Sequence, residues 1–146
     1  MKLAEALKKK NKLADKSKKL VTILQNNNSI LKGNERSYDP VETLSEMENV
    51  AEELAALKAR IQKTNAPIQY KIFKMSELKG LISSLMRMSC HAGAQSSGYG
   101  RNESLVEYEA VYNDRKRDGL IESFQEKIEK LQGEVDYFNH TTDLVD

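Results

Sequence analysis

The chain has 146 residues, 31% charged and 39% hydrophobic, with two prolines and no tryptophan, a balance that fits amphipathic helices better than a sheet covered on both faces. Its net charge of +1 gives it no molecule-wide field for nucleic acid, and its single cysteine, Cys90, excludes an intrachain disulfide or a cysteine metal cage. No run approaches the roughly 20 apolar residues of a membrane span. Lysines, not an apolar core, follow Met1-Lys2-Leu3-Ala4-Glu5, so the expectation is a protein of the reducing cytoplasm without a secretory signal.

Residues 2–31 read as a first helix. Leu3, Leu7, Leu13, Leu20, Val21, Leu24 and Leu31 share one broad face, and Lys8, Lys9, Lys12, Lys16 and Lys19 lie on the other. Lys10 and Ser17 fall inside the apolar stripe, seven residues apart, where a polar group fixes register or snorkels from the edge. The helix is expected to fray at Asn26-Asn27-Asn28 or to end at Gly33.

Asp39-Pro40 then signals a second helix over 40–64, with Asp as N-cap and Pro at the first helical position. Its seam reads Leu44, Met47, Val50, Leu54, Leu57 and Ile61. Acids fill its first half (Glu42, Glu46, Glu48, Glu52, Glu53) and bases its last turns (Lys58, Arg60, Lys63), both favourable to the helix dipole. Asn65-Ala66-Pro67 stops it. Two long helices with a short connector predict an antiparallel hairpin.

Aromatic and β-branched residues suggest strands at 69–74 (Tyr70, Ile72, Phe73) and 104–112 (Leu105 to Tyr112), pairing as a small ribbon. Between them Ser76 would cap a third helix over 77–94, with Leu78, Leu81, Ile82, Leu85, Met88 and Ala92 inside. The glycine- and serine-rich residues 93–102 would form a mobile loop. The last helix, 114–140, carries the clearest pattern of the chain. Ile121, Phe124, Ile128, Leu131, Val135 and Phe138 follow one another at alternating steps of three and four, with charged residues opposite.

The fold class that follows is mainly α: an antiparallel four-helix bundle or long helical hairpins with a small β-ribbon, in a single domain, 1–146. Leu44, Leu54, Leu57, Ile128, Leu131 and Val135 are the expected core. The charge map places the acids near the end of the fourth helix (Glu129, Glu134, Asp136, then Asp143 and Asp146) beside the first half of the first helix. The basic end of the second helix would offer its lysines no neutralisation.

No residue pattern supplies chemistry. Cys90 and His91 are adjacent, so on a helix they point about 100° apart and do not form a nucleophile–base pair. His91 and His140 are the only histidines, and no His-x-x-x-His or Glu-x-x-His spacing exists to place two such ligands on one helix face. The glutamate pairs 42/46, 48/52 and 122/126 read as solvated faces. Residues 96–101 lack the Gly-Lys-Ser/Thr ending of a phosphate loop. Asn102-Glu103-Ser104 and Asn139-His140-Thr141 match the glycosylation pattern, which has no bearing without secretion. The sequence therefore assigns no catalytic, cofactor-binding or metal residue, and no cofactor. Lys8, Lys9, Lys12, Lys16 and Lys19 could hold a nucleic-acid backbone or an anionic surface. No aromatic residues interleave with them, which favours a solvated or acid-paired face.

The opening Met1-Lys2-Leu3-Ala4-Glu5-Ala6-Leu7, the turn Lys63-Thr64-Asn65-Ala66 and the terminal Asn139-His140-Thr141-Thr142-Asp143-Leu144, in that order, resemble a family of small bacterial helical proteins of unknown function. That family is typified by a protein of the diphtheria bacterium and sometimes labelled septicolysin. The resemblance covers nearly the whole length and implies a homo-oligomeric helical bundle; it brings no catalytic residues. The label implies a membrane-active toxin, whereas the chain has neither an apolar helix nor more than one short alternating stretch. The function expected is a non-enzymatic, self-assembling helical bundle, a scaffold or adaptor, with surface binding through the lysines and membrane activity as alternatives.

Overall fold

In the computed structural model, residues 1–98 and 104–146 are described. Four α-helices, α1 (Leu3–Asn27), α2 (Pro40–Asn65), α3 (Gln69–Arg87) and α4 (Asp114–Thr141), accompany one two-stranded antiparallel sheet, β1 (Gly93–Ser97) with β2 (Ser104–Tyr108). The chain is mainly α with a small β-ribbon, as its patterning implies. It divides into two units, Met1–Gln69 with Asp136–Asp146, and Tyr70–Val135.

The first unit is built on the α1–α2 hairpin. Its antiparallel sense is fixed by two cross-helix ion pairs, Lys9 to Glu53 at 2.6 Å and Lys16 to Glu46 at 2.6 Å. The covered residues of α1 recur at 3, 6, 10, 13, 17, 20, 24 and 27, so Lys10 and Ser17 do stand on the inner seam, half-buried. On α2 they recur at 43, 47, 50, 54, 57, 61 and 64. Both series alternate steps of three and four, the spacing that keeps one stripe facing a partner helix.

The second series corrects the expected core at its start. Thr43, not Leu44, takes the inward position, and Leu44 is 47% exposed. Thr43 is held there because its hydroxyl donates to the Asp39 carbonyl at 2.7 Å. The buried core of this unit is Leu3, Ala6, Leu57, Ile61 and Leu144, with Leu7, Leu13 and Phe138 packed against it.

The ends of α1 and α2 show why they lie where they do. Asp39 caps α2 as expected, its carboxylate accepting from the Val41 N–H at 2.8 Å, with Pro40 following. Replacing Asp39 with alanine is expected to cost about 1 kcal/mol, read as a lower urea midpoint at unchanged slope. At the other end of the connector, Arg36 donates to the carbonyls of Asn27 and Asn28 at 2.9 and 3.1 Å. This guanidinium satisfies two of the carbonyls a helix end leaves free, and α1 stops at Asn27, inside the Asn26-Asn27-Asn28 stretch where fraying is expected and short of residue 31.

Residues 142–146 close the first unit. Leu3 N–H donates to Thr142 O and Leu144 N–H to Met1 O, both at 2.9 Å, around a Lys2–Asp143 bridge. The Lys2 ammonium reaches the Asp143 carboxylate at 2.8 Å and the Thr141 carbonyl at 3.0 Å. Arg60 holds Asp146 at 2.7 Å and the Val145 carbonyl at 2.9 Å. Of the acids expected beside α1, then, Asp143 does pair with Lys2, but Asp146 sits on α2. Lys9 and Lys16 instead meet the acidic first half of α2, because an antiparallel hairpin sets residues 9–16 opposite 46–53.

The Lys2 hydrogen bond holds the Asp143 carboxyl below the usual carboxylate range. A carboxyl depressed in the folded state adds stability above its unfolded pKa, and that stability is lost as pH falls through the folded one. Melting temperature is therefore expected to fall below about pH 4, and Asp143→Asn should flatten part of that acid limb.

In the second unit the expected strand at 69–74 is instead the opening of α3. After the 3₁₀ turn Ala66–Ile68, the chain re-enters a helix at Gln69. The signal was present in the spacing: Ile68, Ile72, Met75, Leu78 and Ile82 form one helical stripe, which the aromatic content of Tyr70 and Phe73 obscured. The helix ends at Arg87, short of the expected 94, since Gly93–Ser97 is a strand. β2 pairs with that strand, in the register Gly93↔Tyr108 through Ser97↔Ser104, and ends at Tyr108 instead of 112. Residues 99–102 of the expected loop lie outside the described residues. α3 and α4 run antiparallel, with the ion pair between Lys71 and Glu134 near one end and an Arg117–Cys90 contact at 3.9 Å near the other. The Asn113 side chain starts α4 by accepting from the Lys116 N–H at 2.9 Å.

Candidate functional site

The second unit buries little of what its sequence offers. Among its described large apolar residues only Met75, Leu78 and Val135 are buried. The rest of the α4 stripe, Ile121, Phe124, Ile128 and Leu131, is half-covered, as are Ile72, Ile82 and Leu85 on α3 and Met88 just past its end. Of the expected core residues, Leu57 and Val135 are buried, Leu54, Ile128 and Leu131 are half-buried and Leu44 is exposed. A second set on α3 faces water outright: Tyr70 is 72% exposed, Phe73 61% and Leu81 49%. Two helices can hide only one seam between them, so a hairpin carrying more apolar surface than that presents a face for another element.

The first unit presents a smaller apolar feature. A groove of about 750 Å³ lies where α1 ends and α2 begins, lined by Leu24, Gln25, Asn28, Pro40, Val41, Leu44, Ser45 and Glu48. This is where the displaced Leu44 goes.

The polar clusters are modest. Cys90 is half-buried, with Arg117 close to its sulfur. Arg117 is pushed further toward its charged form, chiefly by the Asp118 carboxylate bonded to its Nε at 3.0 Å. His91 is not aimed at Cys90. Its Nδ1 meets the Gln95 amide at 2.7 Å, and its ring tilts against Tyr108 with centroids 5.7 Å apart. His140 Nδ1 meets the Asp136 carbonyl at 2.7 Å. Among the described residues no three of His, Cys, Asp and Glu gather as metal ligands would, and no helix is long and apolar enough to cross a membrane. Within the lysine face, Lys9 and Lys16 are neutralised by Glu53 and Glu46; among the described residues no ion pair is present at Lys8, Lys12 or Lys19.

Sequence reasoning found the α4 stripe and missed the outer face of α3, because it gave residues 69–74 to a strand. With that segment helical, Tyr70, Phe73 and Leu81 fall together at helical spacing.

No curated protein matches the chain. A crystal structure of a functionally unknown conserved protein from Corynebacterium diphtheriae superposes with a TM-score of 0.71 over 99% of both chains at 20% identity, which shows a shared fold. A family model described as a family of unknown function matches residues 10–144. The chain thus belongs to the DUF6847 family, in agreement with its resemblance to the diphtheria-bacterium protein.

Proposed function

We propose that this protein is a non-enzymatic, self-assembling helical protein that acts as a scaffold or adaptor. The observation that supports this most is the half-covered α4 stripe, Ile121, Phe124, Ile128 and Leu131, on the same unit as the exposed aromatic residues of α3. Apolar side chains left open in this way are commonly covered by protein partners. A lone half-buried cysteine and the lack of any disulfide suit a reducing compartment such as the cytoplasm. Light scattering behind size exclusion is expected to give a mass that is a multiple of the 16.6 kDa chain. A monomer at every concentration tested would remove the assembly claim.

A further inference from the structure

Resting on that reading, we propose that a second copy of this chain docks on the outer face of α3, antiparallel and about a two-fold axis, through Tyr70, Phe73, Lys74, Glu77, Gly80 and Leu81. At about 100° per residue, Tyr70, Phe73, Lys74, Glu77 and Leu81 share an arc roughly 100° wide, whose edge at Lys74 lies about 40° from buried Leu78 and about 100° from buried Met75. The argument for a second copy is self-complementarity. An isologous interface needs each residue to match its symmetry partner on the same patch. With the axis between positions 75 and 76, Tyr70 faces the partner's Leu81 and Lys74 faces the partner's Glu77, each twice. The apolar residues then lie outside and the opposite charges inside, so potentials match as well as shapes. Among the described residues neither charge is committed to an opposite one: Lys74 leans over its own Tyr70 ring, 5.9 Å from the centroid.

Gly80 adds a separate observation. A glycine inside a helix weakens it, and among the described residues nothing lies within 4 Å of where a Cβ would stand at Gly80, as at Gly119 and Gly133 on α4. In that register Gly80 faces position 71 of the other copy, two residues along from the point opposite its Phe73, so the open space at Gly80 leaves room for that ring. Covering these residues and their polar flanks on both copies removes on the order of 1,000 Å² from water, the low end for a specific pair.

The test is the dimer dissociation constant of the full chain by sedimentation, with helicity followed by circular dichroism. Lys74→Glu and Glu77→Lys alone should each weaken the dimer about tenfold or more by setting like charges opposite one another, and the double reversal should restore it. Gly80→Leu should keep or raise helicity and still weaken the dimer by filling the gap. A wild-type monomer overturns both this interface and the assembly reading. A dimer that none of the three single changes weakens overturns this face alone and leaves assembly standing. A double reversal that stays weak overturns the Lys74–Glu77 register.

Discussion

Leu3→Ala is expected to lower stability by about 2–5 kcal/mol, a large share of what a domain of this size has. Leu3 is 0% exposed and is the one large side chain that is completely covered among the described residues. It sits in the cluster with Ala6, Leu57, Ile61 and Leu144, so truncation removes contacts to α1, α2 and the closing segment together. The surrounding backbone is tied by hydrogen bonds from Leu3 N–H and Leu144 N–H and cannot easily collapse into the space left behind. Urea denaturation should show the midpoint falling with the slope unchanged. A loss below about 1 kcal/mol would mean the cluster does not hold this unit together.

The second large effect separates two seams for α2. Val50→Asp should cost about 3–5 kcal/mol, because Val50 is 4% exposed and an aspartate there would be a buried charge without a partner. Leu44→Asp should cost well under about 1 kcal/mol, since that side chain is half in water and lines the groove beside Leu24. A sequence-only seam starting at Leu44 predicts comparable damage at both positions. The covered series starting at Thr43 predicts a wide gap, and thermal melts of the two variants decide between them.

Much of this architecture was legible before any coordinates, where one physical signal dominated a segment. The α4 stripe, the Asp39-Pro40 start and the Asn65-Ala66-Pro67 stop each depend on local spacing or backbone geometry, and all three stand. What escaped was either weakly marked or non-local. Gly93–Ser97 carries no apolar alternation, and it becomes a strand only because β2 offers it a register. The Arg36 cap and the Lys2–Asp143 bridge join residues whose proximity no spacing rule announces. The α1 lysines meet the acidic first half of α2 and not its basic end, because the hairpin sets residues 9–16 opposite 46–53, a register that neither helix's own spacing announces. The outer face of α3 was hidden by one wrong choice of period at Tyr70 and Phe73, and the candidate interface went with it.

The Lys2–Asp143 bridge has a kinetic consequence. Its partners are 141 positions apart, so the chain loses far more freedom in joining them than in zipping α1 onto α2. The hairpin should therefore assemble early and the bridge late. On refolding, amide protons near Val50 in mid-α2 should gain protection before those of Leu3 and Leu144.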